Sequence, residues 1–520
     1  MTAAAPTFRR DFSAIVAARR DATAAIDARH DRTIDYGELE QLTGCLGGQL
    51  LGMSGGGAKG VVSLLPNGLE NFLCLIGTLR AGLDYAPLYP QCAARELSHW
   101  LSLVDPAVCL VAENTSEELL AVVEDSGLPT LTVPTDGKCD WIDGGSSLPR
   151  EIEGVSRILL LTSGTTGEPK ALVFDSDRLW ASGRAFMEFH DCIGKGLRFF
   201  NLLPMSYLGG TFNLSLIPLA SEGSVVLGEA FSGRTFLRFW QEVERFQVSA
   251  LWLVPTIVRG LVKIAEKTER ERFVKASEIV KICFLGTAPI DLDTKHRFEQ
   301  LFGIQLLENY ALSETTFITS ETPATAERRL QGSVGEVLPY VDLRVSAASN
   351  DGNPVHPDAG ELEVHTPYMF LGYLGQGGAI DRAPGPGDYL KTGDVGYLDE
   401  NRTLVLTGRS RDIIKKGGYL IGLREIESLA EQNPFIEEAC AVGVPHEFYG
   451  EDYVLFVRPK DVDPGEEAQT ALQQEVRRWL NERLVQFKWP GDVHVQADLP
   501  KTSSGKVKKH ELLRAMGIGA

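Results

Sequence analysis

Apolar positions along the chain fall into two rhythms. Short β-branched runs, KGVVSLL, DPAVCLVA and LPTLTV, alternate with stretches such as ELEQLTGCLGGQLLG and NFLCLIGTLRAG, whose apolar residues recur at helical spacing. The alternation returns in SEGSVVLG, TFLRFWQEVERFQVSALWLV and EIVKICFLG. Strands alternating with helices predict an α/β fold with a largely parallel sheet. Between about residues 332 and 406 the rhythm shifts to short strands broken by Gly, Pro and Asp, predicting a small β-rich unit. After TGRSRD a smaller α+β piece follows, with helices near REIESLAEQ and EAQTALQQEVRRWLNERL.

At 520 residues the chain exceeds what one core organises, so at least two domains are expected. A hydrophobic content of 43% and a charged content of 23% are those of a soluble globular protein. The net charge of −19 repels polyanions and argues against nucleic acid or an anionic membrane as partner. Eight cysteines form no C-x-x-C pair and no zinc-like spacing with the histidines, so a reduced, cytoplasmic chain is expected. The segment after Arg9 and Arg10 is broken by charge and does not read as a signal peptide. The most apolar stretch, 201–227, is interrupted by Pro204, Gly209, Gly210 and Pro218 and predicts no membrane span.

Chemistry enters with LTSGTTGEPK, residues 161–170, directly after the apolar run RILLL. Two glycines, four hydroxyls and a lysine supply backbone and side-chain donors suited to a polyphosphate. The spacing is not that of a P-loop, because Gly164 and Gly167 stand too close and Pro169 precedes Lys170. Alone, the stretch reads equally as a hydroxyl-rich surface turn. A G-x-S-x-G match at Gly52–Gly56 sits between a helical pattern and a strand, the reverse of a nucleophile elbow, which disqualifies Ser54. Four later segments share the phosphate chemistry. NYALSETT sets Tyr310 and Glu314 together, an aromatic face for a base and a carboxylate for a divalent cation. YLKTGDVGYLDENRTLVLTGRSRD offers Asp394 for ribose hydroxyls and Arg409 for phosphate or ribose oxygens. KKGGYLIGLREIE is a glycine-bearing turn into a helix, and LPKTSSGKVKKHELL presents Lys506 after Gly505 in an exposed turn.

In this order the five segments resemble the adenylate-forming superfamily of acyl-CoA synthetases, nonribosomal adenylation domains and luciferases, with further matches in LPNGLENFLCLIGTLRAGLDYAPLYP and in GTAPI at Gly286. The resemblance spans nearly the whole chain. It implies a large N-terminal domain, 1–410, of layered α/β subdomains plus the β-rich unit, and a small mobile α+β lid, 411–520. It also implies a ligase that joins a carboxylic acid to the α-phosphate of ATP, releasing pyrophosphate, and passes the acyl group to the thiol of coenzyme A or of a phosphopantetheine on a separate carrier protein. Transfer to a free amino acid or other amine is the alternative, and a non-catalytic nucleotide-binding protein the remote one. By family position Thr162, Ser163, Gly164, Thr165, Thr166, Gly167 and Lys170 hold the phosphates. Gly286, Thr287, Ala288, Asn309, Tyr310, Ala311 and Ser313 surround the nucleotide, with Tyr310 stacked on adenine. Asp394 and Arg409 take the ribose side, and Glu314 with Thr165 binds Mg2+. Lys506, Tyr207 and Glu314 are the catalytic set.

Family position further maps the acid to Tyr207, Leu208, Thr211, Phe212, Gly286, Ala311, Phe317 and Ile318. Leu208 stands where amino-acid-activating members carry an aspartate, so an α-ammonium would lack a partner. A small to medium aliphatic, alicyclic or aromatic acid is expected. The pivot of the lid maps to Arg411, and Lys415, Gly417, Gly418 and Tyr419 form the loop facing the acceptor. The chain departs from the family pattern at Arg411, at Leu423 for a usual proline, at Ala171 and Ala311 for usual glycines, and at Tyr207 in PMSYLGG.

Overall fold

In a computed structural model of the chain, the residues described are 6–55, 60–162, 170–265, 278–288, 290–346, 356, 358–381, 387–409, 413–416, 419–446, 450–460, 465–484, 488–501 and 507–517. Eight elements bear on the site, labelled in chain order. They are β1 (Lys170–Asp175), α1 (Ser176–Phe189), β2 (Leu307–Leu312), β3 (Thr316–Ser320), β4 (Gly372–Leu374), β5 (Leu390–Leu398), β6 (Thr403–Arg409) and α2 (Leu423–Glu431).

The apolar runs form the middle strands of two large sheets. Val61–Leu64 lies parallel between Tyr85–Pro87 and Val108–Ala112 in a sheet of eight described strands. In a second sheet, of 13 described strands, Ser224–Leu227, Arg198–Asn201, Ala250–Leu253, Ile282–Leu285 and β2 run parallel. All four residues of VVSL, SVVL and ALWL are buried, as required of strands covered on both faces. The helix Leu69–Arg80 shows no polar stripe because every residue from Leu69 to Leu79 is buried. Ser54 ends the helix Tyr36–Met53 and donates its hydroxyl to the Leu51 carbonyl at 2.9 Å, the local role of a helix end.

The β-rich stretch is divided between the two sheets. Ser333–Val337, Asp342–Val345, Gly360–His365, β5 and β6 extend the larger sheet beyond β3 with antiparallel pairings. β4 pairs antiparallel with β1 on the smaller sheet, Tyr373 opposite Leu172 and Leu374 opposite Ala171. One stretch of chain thereby ties both sheets together beside β1.

From Ile413 onward the chain builds a sheet of five described strands whose apolar residues form two cores of their own, one around Ile426, Leu455 and Val476 and one around Phe456, Leu499 and Leu512. An ion pair of 3.4 Å between Lys263 and Glu437 joins this unit to the large one. Among the described residues no helix is long and apolar enough to cross a membrane.

Candidate functional site

Three chain segments bring polar side chains to one place. β2 runs parallel to Ile282–Leu285 and antiparallel to β3, and β5 runs antiparallel to β6. Tyr310 of β2 donates its hydroxyl to the Asp394 Oδ2 of β5 at 2.6 Å, and both side chains are buried. A hydrogen bond to a carboxylate is the stronger kind, and it fixes phenol ring and acid as one unit. The Asp394 amide donates in turn to Thr392 Oγ1 at 3.0 Å, and the Arg409 backbone lies opposite Asp394 in the register. Arg409 thus shares a strand pair with Asp394; its side chain lies outside the described residues.

The rest of the NYALSETT segment is held as tightly. Asn309 donates from Nδ2 to the Leu285 carbonyl at 2.8 Å, across the parallel pair. A Cβ at Gly286 would sit 2.8 Å from Asn309 Oδ1, so the residue after the strand Ile282–Leu285 has to be glycine for the amide to lie there. The next residue, Thr287, has φ of 82°, a left-handed conformation that is strained for a β-branched side chain. Ala288 is partly buried and Ala311 exposed, beside a register shift between Tyr310 and Ala311.

Glu314 and Ser313 occupy the turn between β2 and β3. The Glu314 carbonyl accepts from the Phe370 amide at 2.9 Å, and its Oε1 accepts from the Tyr373 hydroxyl at 2.9 Å. Tyr207, partly buried, faces the same turn. Burial raises its pKa, a side-chain hydrogen bond to Ser313 works against the rise, and the Glu314 charge adds to it. The strand end beneath is pinned by buried charges: Lys295 pairs with Glu308, Arg329 with Glu299 at 2.9 Å, and the Glu308 amide donates to Glu321 at 2.8 Å.

The residues mapped to the acid divide. Thr211, Phe212, Phe317 and Ile318 are fully buried, and Leu208 is partly buried. The Thr211 hydroxyl is spent on the Met205 carbonyl at 2.6 Å, inside a π-helical stretch, Gly209–Leu216. The Phe317 ring lies 5.7 Å from Phe212, 5.3 Å from Trp252 and 4.1 Å from Phe186 of α1, centroid to centroid. Phe186 also packs against His190, whose Nε2 is 3.0 Å from Ser320 Oγ and whose pKa burial lowers to about 4. These rings form one continuous aromatic wall, and its Phe317 lies opposite Ala311 in the β2–β3 register.

Ser163, Gly164, Thr165, Thr166, Gly167, Arg411, Gly417, Gly418 and Lys506 lie outside the described residues, as do the side chains of Thr162, Lys170, Lys415 and Tyr419. The backbone brackets these segments. Thr162 faces Lys170, Lys416 faces Tyr419, and Lys501 bridges to Val507. One residue at the centre of the site escaped the sequence reading: Tyr373. Its only local signal is Gly372, which has φ of 139° and where a Cβ would sit 2.2 Å from the Asp381 carbonyl oxygen.

Comparisons with known proteins agree along the chain. A family model described as AMP-binding enzyme matches residues 12–374, and one described as AMP-binding enzyme C-terminal domain matches residues 425–506. A sulfoacetate–CoA ligase of Cupriavidus necator is 29% identical over 489 residues, covering 92% of either chain. A malonate–CoA ligase of Arabidopsis thaliana is 27% identical over 468 residues, 85% of this chain and 75% of that one. The crystal structure of ATP-bound MatB from Rhodopseudomonas palustris superposes with a TM-score of 0.82 at 25% identity over 98% of each chain. The amide bond synthetase McbA from Marinactinospora thermotolerans superposes with a TM-score of 0.79 at 23% identity over 98% of this chain and 100% of that one.

Proposed function

The chain belongs to the AMP-binding enzyme family, ATP-dependent acid ligases that work through an acyl-adenylate, and we propose that its reaction takes place where β1, the β2–β3 turn, β4 and the β5–β6 pair meet. The observation that carries this reading is the convergence of Tyr310 and Glu314 from one segment with Asp394 from another, Tyr310 and Asp394 being joined by a 2.6 Å hydrogen bond. In the reading, the Tyr310 ring covers adenine, the Asp394 carboxylate accepts the ribose hydroxyls beside Arg409, and the loop 163–169 with Lys170 holds the β- and γ-phosphates. A substrate carboxylate oxygen attacks the α-phosphorus. The bond to the bridging oxygen breaks and pyrophosphate leaves, with Lys506 neutralising charge at the α-phosphate. In the second step a nucleophile attacks the acyl carbon, AMP departs with the bonding electrons, and the proton of the nucleophile passes to solvent.

Mg2+ fits the donors present. Glu314 offers a hard carboxylate oxygen, and among the described residues only Tyr373 donates to that carboxylate. When bound, the ion would supply charge neutralisation at the phosphates, with Glu314 and Thr165 as its protein ligands. Residues 1–410 would then form the adenylate-forming domain and 411–520 the lid that turns about Arg411, consistent with the separate cores after Ile413.

The relatives include ligases named for malonate and sulfoacetate, acids with a second charged group, and the acid side of this chain bears on whether such an acid fits here. Tyr207, Leu208, Thr211, Phe212, Gly286, Ala311, Phe317 and Ile318 include no cation, so a second acidic group would be buried without a partner. In this reading Ala311 and Phe317, each bulkier than glycine, close the distal end of the acid site and keep it short. The substrate of this reading is a small monocarboxylic acid with an apolar body, and the acceptor is coenzyme A, the thiol donor in the names of those relatives. Incubation with ATP, Mg2+ and a panel of acids, with mass spectrometry of products formed with coenzyme A or with amines, tests it. AMP and a thioester are expected. An amide formed while coenzyme A is ignored would replace the acceptor, and no acid-dependent AMP would refute the site.

A further inference from the structure

Glu314 is tied twice to a segment to which the proposed reaction assigns no role. The Phe370 amide holds its carbonyl, and three residues later the Tyr373 hydroxyl holds its carboxylate, both at 2.9 Å. The Tyr373 ring packs edge-on against Phe370 at 5.0 Å, which sets the direction of the hydroxyl. β4, which carries Tyr373, pairs residue for residue with β1, and β1 begins at Lys170, where the glycine-rich loop ends. The Leu371 amide adds a bond of 2.7 Å to the Val173 carbonyl on the same edge. A glutamate carboxylate left to itself turns through a broad, two-fold torsion. Among the described residues, the side-chain bond that stops the rotation comes from Tyr373.

We propose that Tyr373 is a positioning residue: its hydroxyl fixes the Glu314 carboxylate with one oxygen occupied, so that the other is presented to the divalent cation, and its strand keeps that ligand in register with β1. The inference rests on the assignment of Glu314 to the cation. Hydrogen-bonded partners behind a metal ligand typically change metal affinity by about 10- to 100-fold when removed.

The test is binding of Mn2+ in the presence of α,β-methylene-ATP, followed by electron paramagnetic resonance, in the full-length parent, Tyr373→Phe, Glu314→Gln and the double variant. Tyr373→Phe keeps the ring and is expected to melt like the parent while binding Mn2+ on the order of tenfold more weakly. The double variant is expected to bind no more weakly than Glu314→Gln, because the hydroxyl acts through that carboxylate. Parent-like affinity in Tyr373→Phe beside weakened Glu314→Gln would overturn the inference and leave the site standing, as would two losses that add in full. Parent-like affinity in Glu314→Gln would remove the ligand assignment and the inference together.

Discussion

The two halves of the site are built in opposite ways. On the nucleotide half, Asn309, Tyr310 and Asp394 in strands and Glu314 in a turn are polar groups each held by a hydrogen bond to a neighbouring strand or segment. On the acyl half, Phe212, Phe317 and Ile318 are simply core, continuous with Phe186, Trp252 and His190. A ligand common to a family is met by directional bonds, which tolerate no change. A ligand that varies is met by packing, which changes with each apolar substitution at modest cost.

That contrast can be broken at four points, from the largest effect to the smallest. Lys506→Ala should reduce acid-dependent pyrophosphate exchange into ATP on the order of 10²–10³-fold, about 3–4 kcal/mol, and leave binding of an ATP analogue intact. Exchange at the parental rate would remove the lysine from the reaction. The next effect belongs to the acyl half and to stability. His190 titrates at about 4 in the folded chain against 6.5 unfolded, so the folded state binds fewer protons between those values, and stability falls as pH drops through that window. The loss is on the order of 2 kcal/mol, and urea unfolding at pH 7 and pH 4.5 should show it reduced by that amount in His190→Gln. Equal losses in parent and variant would show that the aromatic wall does not shield the imidazole.

Asp394→Asn keeps an acceptor for the Tyr310 hydroxyl and removes the charge. The KM for ATP should rise about tenfold, near 1.4 kcal/mol, with a smaller change in the KM for the acid. Comparable rises in both constants would mean that the two halves are not separable. Ala311→Gly should have the mildest effect, extending the range of acids by at most ~0.8 kcal/mol for each methylene accommodated. A parent enzyme already fastest with long-chain acids would contradict a short pocket.

The same division governs what the sequence makes legible. The alternation of KGVVSLL with helical stretches is enough for the parallel strands at the middle of the sheets, because buried strands and helices write their periods directly into residue order. TSGTTGEPK, NYALSETT and TGD announce themselves as well, since directional chemistry demands particular residues at fixed spacing. Tyr373 does not: its role depends on β4 leaving the β-rich stretch to pair with β1, a long-range choice that no local window contains. Nor does the burial of Thr211, which family position maps to the acid and whose hydroxyl the π-helical turn spends on Met205. The wall around Phe317 gathers residues from α1, the strand Ala250–Leu253 and β3, and only the folded chain brings them side by side.

The most direct measurement of the central claim is acid-dependent exchange of labelled pyrophosphate into ATP across a graded panel of acids. Short apolar monocarboxylates, malonate, oxalate, sulfoacetate, long-chain fatty acids and α-amino acids would be compared at equal concentration. The account predicts exchange that requires an acid and Mg2+ and is highest with a small apolar monocarboxylate. It predicts markedly less exchange with the doubly charged acids, which find no cation among Tyr207, Leu208, Thr211, Phe212, Gly286, Ala311, Phe317 and Ile318. Exchange highest with malonate or sulfoacetate, or exchange indifferent to the acid supplied, would contradict it.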